Sequence, residues 1–206
     1  MTTPSPTVFV VDDYAPVRRS IVRLLHAAGF VVATFASAQE FLAQYDPGVG
    51  GCLVLDLAMP TLNGLELQDI LAKAGSVLPI IFLTGTADIP KSVQAMKHGA
   101  SDFLTKPAND EDLLAAVRVA IEKNRSVRQQ QTELSEIRAR LATLTPRERE
   151  VLKYVVAGKL NKQIAGDLGN VEQTVKVHRA RVMHKLRLQS VAELVRLTER
   201  CGINGR

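Results

Sequence analysis

The sequence contains no tryptophan and only two cysteines, and aromatic residues make up 4% of its 206 residues. Cys52 and Cys201 lie far apart, which excludes a disulfide framework and favours a reducing compartment, the cytoplasm. No apolar run approaches the roughly 18 residues of a membrane span. The first residues lack the basic start and long apolar core of a secretory signal, so we expect none.

Composition and charge point to a folded chain with two modules. The hydrophobic share of 46% and the charged share of 23% exclude collagen-like and wholly disordered chains. Residues 1–123 carry 9 basic and 13 acidic side chains, a net charge of −4, whereas residues 124–206 carry 17 and 8, a net charge of +9. We therefore expect two modules with different partners. Charge alone leaves open whether the basic half faces nucleic acid or an anionic membrane.

The first half alternates short apolar runs with segments of helical spacing, which predicts a parallel β-sheet with helices on both faces. Gly29, Gly75 and Gly99 are placed to end helices. Ser37 and Glu40 have the spacing of a capping box. The predicted strands are Val8–Val11, Phe30–Phe35, Cys52–Leu57, Pro79–Thr84 and Ala100–Thr105.

The second half has no strand pattern. No glycine or proline interrupts the chain from Leu113 to Leu141, which fits one long helix leaving the first module and fits equally a helix end followed by a flexible linker. The helices predicted beyond it are Pro146–Ala157, Asn161–Leu168, Glu172–Leu186 and Val191–Glu199.

Acidic side chains lie at the ends of two of the predicted strands. Asp12 and Asp13 come at the end of the first strand, and Asp56 comes at the end of the third. Because the carboxyl ends of parallel strands share one edge of a sheet, these carboxylates converge and need a cation to remain ionised. A set of oxygen ligands favours a hard ion such as Mg²⁺.

A hydroxyl and an ammonium group complete this edge. Thr84 ends the fourth strand, and Lys106 follows the fifth. A hydroxyl donor and a positive charge suit a phosphoryl group placed among them, and one carboxylate could accept that group as an acyl phosphate.

Four motifs in this half resemble the receiver domain of bacterial two-component response regulators. They are VDD at Val11–Asp13, D-x-x-M-P-x-x-x-G at Asp56–Gly64, LTG at Leu83–Gly85 and DFLTKP at Asp102–Pro107. The resemblance implies a flavodoxin-like fold with five βα units. It also implies that Asp56 is the phosphoacceptor for a cognate sensor histidine kinase.

The receiver resemblance assigns further roles by position. It implies a Mg²⁺ site made by Asp12, Asp13, Asp56 and the backbone carbonyl of Ala58. It implies that Thr84 and Lys106 hold phosphoryl oxygens, that Phe103 is a conformational switch, and that the Lys106–Pro107 peptide bond is cis.

Two other functions fit part of this pattern. Phosphatases with an aspartyl nucleophile place a second Asp two residues later, where this chain has Ala58, so we expect a regulator that is not an enzyme and at most loses its own phosphoryl group slowly. The other alternative is a receiver that serves only as a dimerisation module.

The basic end of the chain predicts DNA binding. Residues 144–206 carry 13 basic and 6 acidic side chains. Two of the predicted helices, separated only by Gly169–Val171, form a helix-turn-helix pattern whose second helix enters the major groove. A solvated basic face is the alternative for an isolated helix. On the second helix Val175, His178, Val182 and Leu186 form one inward stripe.

This region resembles the LuxR-type DNA-binding domain, and the whole chain resembles the NarL/FixJ family of response regulators, closest to its FixJ-like branch. The motifs are LTPREREVL at Leu144–Leu152, NKQIAGDLG at Asn161–Gly169, TVKVH at Thr174–His178 and KL at Lys185–Leu186. The resemblance implies base contacts by Lys176, Val177 and Arg179. It implies phosphate contacts by Asn161, Lys162, Thr174, Arg181 and Lys185.

The two resemblances together predict the organisation and partners of the protein. We expect a receiver over residues 1–123, a linker, expected to be helical, over 124–142 and a DNA-binding domain over 143–206. The implied partners are the sensor kinase, promoter DNA, a second copy of the chain when phosphorylated or on DNA, and RNA polymerase, with no membrane. One departure is Asn170–Val171, where the family often has Ile-Ser, so the recognition helix lacks its usual serine cap unless Asn170 replaces it.

Overall fold

The computed structural model describes residues 5–85 and 89–202, so residues 1–4, 86–88 and 203–206 of the two predicted domains lie outside it. Contacts divide the chain into two units, the first ending at Gln129 and the second beginning at Gln130. The strands are β1 (Thr7–Val11), β2 (Val31–Phe35), β3 (Gly51–Asp56), β4 (Ile80–Thr84) and β5 (Asp102–Thr105). The helices are α1 (Ala15–Ala27), α2 (Ala38–Gln44), α3 (Gly64–Lys73), α4 (Ile89–Lys97), α5 (Asp110–Ala142), α6 (Pro146–Val156), α7 (Asn161–Asp167), α8 (Glu172–Leu186) and α9 (Val191–Arg200).

The first unit is built on a parallel five-stranded sheet, which confirms the predicted fold class. The strand order is β2-β1-β3-β4-β5, and each neighbouring pair is parallel. Alternate residues of each strand enter two apolar layers, one on each face of the sheet. One layer includes Phe9, Leu53 and Phe82 with side chains of α2 and α3, and the other includes Val10 and Val54 with side chains of α1 and α5.

Glycine ends the helices where the sequence predicts it. After α1, Gly29 has a φ of 85°, and the Phe30 N–H donates to the Leu25 carbonyl at 3.0 Å, which closes the helix in a Schellman-like turn. The same arrangement follows α3 at Gly75 and α4 at Gly99. Because Phe30 belongs to the end of α1, β2 begins at Val31, one residue later than predicted.

The Ser37 cap of α2 is also as predicted, although the return bond to Glu40 differs from that of a full capping box. The Glu40 N–H donates to Ser37 Oγ at 3.1 Å. The Glu40 carboxylate accepts from the N–H of Ala36, at 2.7 Å, instead of from that of Ser37.

Polar residues anchor α5 to the first unit beyond position 123. The Asn124 side chain is buried, donates to the Val77 carbonyl at 2.8 Å and accepts from the Gly51 N–H at 3.0 Å. Arg128 donates to the carbonyls of Pro47 and Gly48. Residues 124–129, which the sequence places in the linker, therefore lie in the first unit as part of α5.

The second unit is helical, again as predicted. Helices α6, α7, α8 and α9 pack around an apolar cluster that includes Val151, Ile164, Val175 and Leu194. Thr145 and Glu148 form a complete capping box at the start of α6. Over the two ranges described above, no helix combines the length and the apolarity needed to cross a membrane.

Thr61, between β3 and α3, has a φ of 71°, a conformation that strains a β-branched residue. Its side chain is exposed, so glycine there loses no packing. We expect Thr61→Gly to stabilise the first unit by about 1 kcal/mol, measured by calorimetric unfolding. Thr34→Gly, in the extended strand β2, is the control and is expected to destabilise the same unit.

Candidate functional site

Three carboxylates meet at the carboxyl edge of the sheet. Asp12 and Asp13 follow β1, Asp56 ends β3, and one carboxylate oxygen of each lies within 4.8 Å of the others. Asp12 and Asp56 are buried, whereas Asp13 is exposed. Like charges at this distance repel each other, so the cluster is stable only beside positive charge.

Lys106 supplies part of that positive charge. Its Nζ lies 2.5 Å from Asp12 Oδ2 and 3.2 Å from Asp56 Oδ1. The Lys106–Pro107 peptide bond is cis, as the receiver resemblance implies. The Lys106 N–H donates to the Thr84 carbonyl at 2.7 Å, which ties the residue after β5 to the end of β4.

The surroundings of Asp56 disfavour its ionised form. Burial raises the pKa of Asp56 above its ordinary value, and the neighbouring Asp12 carboxylate raises this pKa further. Lys106 opposes both effects through its charge and its hydrogen bond. In the described part of the chain, three carboxylates share the one lysine beside them, so an added cation would favour the ionised form of Asp56.

Contacts within the loop after β1 fix the position of Asp12. The Tyr14 N–H donates to Asp12 Oδ1 at 2.8 Å, and Arg18 Nη1 donates to the Asp12 carbonyl at 2.5 Å. Sequence reasoning did not identify Arg18 as part of the site. The available signal was an arginine on the first turns of the helix that follows the acidic pair.

Gly64 explains the last position of the D-x-x-M-P-x-x-x-G motif. A Cβ atom there would lie 2.5 Å from the Asp56 carbonyl oxygen and 3.0 Å from the Phe82 ring. The Gly64 N–H donates to the Leu57 carbonyl at 3.1 Å. Glycine thus allows the start of α3 to pack directly on the backbone of Asp56.

The other predicted receiver residues lie on the neighbouring strands and loop. Thr84 is fully buried at the end of β4. Phe103 is half-buried on β5, and its ring centroid lies 6.1 Å from that of Phe82. Ala58 is exposed two residues after Asp56.

The recognition-helix candidate α8 has an apolar inner face. Val175, Val182 and Leu186 are buried and His178 is half-buried, as the spacing predicts. Arg147 of α6 braces the turn before α8, since its Nη2 donates to the Leu168 carbonyl at 2.8 Å. Sequence reasoning did not identify this arginine, which lies 21 positions from its partner.

The predicted DNA contacts differ in their exposure and in their partners within the protein. Arg179 donates to Asn161 Oδ1 at 3.1 Å, and Lys176 pairs with Glu172 at 3.0 Å. Lys185 Nζ lies 2.6 Å from the buried Glu148 carboxylate. Thr174 is half-buried, and the exposed members of the set are Lys162, Lys176, Val177 and Arg181.

The sequence matches two family models. Residues 8–118 match the response regulator receiver domain, and residues 142–198 match bacterial regulatory proteins of the luxR family. The chain therefore belongs to the response regulators with a luxR-family domain, the family that the sequence motifs resemble. It is a transcriptional response regulator.

Individual proteins agree with this assignment. The chain is 46% identical over 197 residues to nodulation protein W of Bradyrhizobium diazoefficiens, covering 96% of this chain and 87% of that protein. It is 42% identical to the transcriptional regulatory protein FixJ of the same organism, covering 95% and 96%. The solved structure of response regulator StyR matches with a TM-score of 0.90 at 45% identity and covers 95% of this chain and 99% of that one.

The N-cap of α8 offers a test of the recognition helix. Val171 occupies this position without a side-chain cap, and the Asn170 amide lies beside the Arg147 guanidinium. We expect Val171→Ser to cap α8 and stabilise the second unit by about 1 kcal/mol in calorimetric unfolding. Val171→Ala cannot cap and should bring no gain; an equal gain from alanine would show that removing the exposed valine is the cause.

Proposed function

We propose that this regulator is switched by transfer of a phosphoryl group from a sensor histidine kinase to Asp56, and that it then binds promoter DNA through α8. The observation that carries the proposal is the convergence of Asp12, Asp13, Asp56 and Lys106 at one sheet edge, in a chain whose second unit is a luxR-family domain.

The carboxylate cluster fits a Mg²⁺ ion. Its three ligands are carboxylates that come together from two strand ends, and oxygen donors are what this ion prefers. Asp12, Asp13 and Asp56, with the Ala58 carbonyl, would hold the ion, which would supply positive charge opposite the phosphoryl oxygens.

Asp56 acts as the nucleophile in the transfer. Its carboxylate oxygen forms a bond to phosphorus as the P–N bond of the donor phosphohistidine breaks, and the imidazole leaves and takes up a proton. Lys106 Nζ, 3.2 Å from Asp56 Oδ1, is placed to donate to a phosphoryl oxygen. The Thr84 hydroxyl is the second donor to that group.

The added charge provides the signal for the conformational change. When Thr84 follows the phosphoryl group, space opens within the layer against which Phe103 packs, and the Phe103 ring moves into it. This shift favours a receiver surface that pairs with a second copy. Ala58 offers no acid to activate water, so attack of water on phosphorus, which restores Asp56 and releases phosphate, is slow.

On DNA, α8 enters the major groove. Lys176, Val177 and Arg179 read base edges, whereas Arg181, Lys162, Asn161 and Thr174 contact phosphates. The dimer recruits RNA polymerase at the promoter, and the protein works in the bacterial cytoplasm, where chromosomal DNA lies.

We expect Asp56→Asn to abolish phosphoryl incorporation from an acyl-phosphate donor or the kinase, measured by intact-protein mass spectrometry, because the amide is not a nucleophile. Chelation of Mg²⁺ should have the same effect on the unchanged protein. Asp69→Asn, on α3, is the matched control and should retain incorporation. Full incorporation by Asp56→Asn would rule out this residue as the acceptor.

A pair of variants tests the division of the DNA contacts into base contacts and phosphate contacts. Lys176→Ala should reduce the binding free energy by about 1–3 kcal/mol on a duplex selected by the unchanged protein and by much less on a scrambled duplex. Arg181→Ala should weaken binding to both duplexes equally and reduce the slope of log affinity against log salt by about 0.9. Equal losses on both duplexes for both variants would mean that the base and phosphate roles are wrongly divided.

A further inference from the structure

Lys185 carries a charge on the recognition helix, yet its ammonium group is engaged within the protein. Its Nζ lies 2.6 Å from Glu148 Oε2 and donates to the Thr143 carbonyl at 3.1 Å. These two partners lie 37 and 42 positions earlier in the chain. Two of the three donors of the ammonium group are therefore in use before any DNA is bound.

Glu148 is fixed in place before it meets Lys185. Its side chain is 3% exposed, its Oε2 accepts from the Thr145 N–H at 2.8 Å, and its own N–H donates to Thr145 Oγ1 at 3.3 Å. Hydrogen bonding by Lys185, followed by that of the Thr145 backbone, lowers the pKa of Glu148, so the carboxylate is ionised at neutral pH. A buried carboxylate in this state requires its cation.

The second contact of Lys185, with the Thr143 carbonyl, lies at the end of α5. Thr143 follows Ala142, the last residue of that helix, and the Ala142 carbonyl accepts from Arg149 Nη2 at 3.2 Å. Cations from α6 and α8 thus bind carbonyls at a helix C-terminus, where positive charge is favoured. Lys185 joins the last turn of α8 to both α6 and the end of α5.

These contacts act at one end of α8, and the Arg179–Asn161 bond acts nearer its middle. A helix held at two polar points and along an apolar stripe has a defined tilt, and the tilt decides which side chains reach base edges. If Lys185 turned to a DNA phosphate, it would leave Glu148 buried and unpaired, which is strongly unfavourable.

We propose that Lys185 is a positioning residue for DNA recognition, which holds the C-terminal end of α8 on Glu148 and Thr143, and is not a phosphate ligand. The proposal rests on the proposed binding of DNA through α8. It changes the role that the family resemblance assigns to Lys185 and adds Glu148, an acidic residue, to the groups on which DNA affinity depends.

The two roles predict opposite effects for Glu148→Gln. If Lys185 contacts phosphate, this variant weakens the contact that holds the ammonium group and removes a negative charge, so affinity stays the same or rises. If Lys185 positions α8, affinity for the specific duplex falls although the protein has become more positive. Glutamine keeps the shape, and its amide oxygen can accept from the Thr145 N–H as Glu148 Oε2 does, so the main change is the loss of a negative charge.

The experiment uses the full chain treated with an acyl-phosphate donor and Mg²⁺, a duplex selected from a random pool by the unchanged protein, and a scrambled duplex. Affinity is measured over a salt series, below the unfolding temperature of every variant. Glu148→Gln and Lys185→Met are each expected to lower the affinity for the selected duplex about tenfold and that for the scrambled duplex less than twofold. The slope of log affinity against log salt should stay unchanged. Arg181→Met is the phosphate-contact control, and Lys153→Met, exposed on α6, is the neutral control.

Three results would overturn the proposal. A salt slope reduced by Lys185→Met as much as by Arg181→Met would make Lys185 a phosphate ligand. Unchanged specific-to-scrambled ratios in both variants, even with lower melting temperatures, would make the ion pair merely structural. Affinity losses that add in the double variant, Glu148→Gln with Lys185→Met, would show that the two residues act separately.

If the unchanged protein selects no duplex, the DNA-binding function itself fails, and this outcome is distinguishable from the other three. Should Glu148→Gln not fold, the slope of Lys185→Met decides.

Discussion

The receiver depends on an electrostatic conflict that its sheet creates. Parallel strands end at one edge, so Asp12 and Asp56, which are separated by 44 positions in the chain, become buried neighbours. Lys106 relieves part of the repulsion, and burial still raises the pKa of Asp56. A site with unbalanced negative charge attracts a cation and responds strongly to an added phosphoryl group, and these are the properties that a phosphorylation switch requires.

The packing of the sheet makes this conflict tolerable. Apolar layers on both faces hold the strands in register, and the close approach of Gly64 to the Asp56 carbonyl fixes the loop that follows Asp56. Arg18 and Tyr14 do the same for the loop that carries Asp12. The strained backbone at Thr61 lies in this region as well, which fits a loop shaped by its position beside the site more than by local preference.

In the second unit the same rule, that a buried charge must be paired, serves a different purpose. Glu148 is held by Thr145 and paired with Lys185, so one carboxylate connects the start of α6 to the end of α8. The outer face of α8 then presents Lys176 and Val177, while Arg179 is braced by Asn161. The charged side chains of α8 therefore include exposed ones and ones that bond to neighbouring helices.

The fold class, most helix ends and the gathering of acids and Lys106 at one sheet edge are predictable from the residues alone, because they follow from local periodicity, from glycine at left-handed positions and from the geometry of parallel strands. Groups of opposite charge, and donors and acceptors, that are far apart in the chain are brought together by the packing of the folded units. Asn124 belongs to a polar stretch that is predicted to be a linker, yet its side chain forms hydrogen bonds with backbone groups at the start of β3 and before β4. The motif assigns Lys185 to phosphate, whereas the structure shows its Nζ 2.6 Å from Glu148 Oε2, a partner 37 positions earlier in the chain. Such partners are set by packing in three dimensions, and a local pattern carries no information about them.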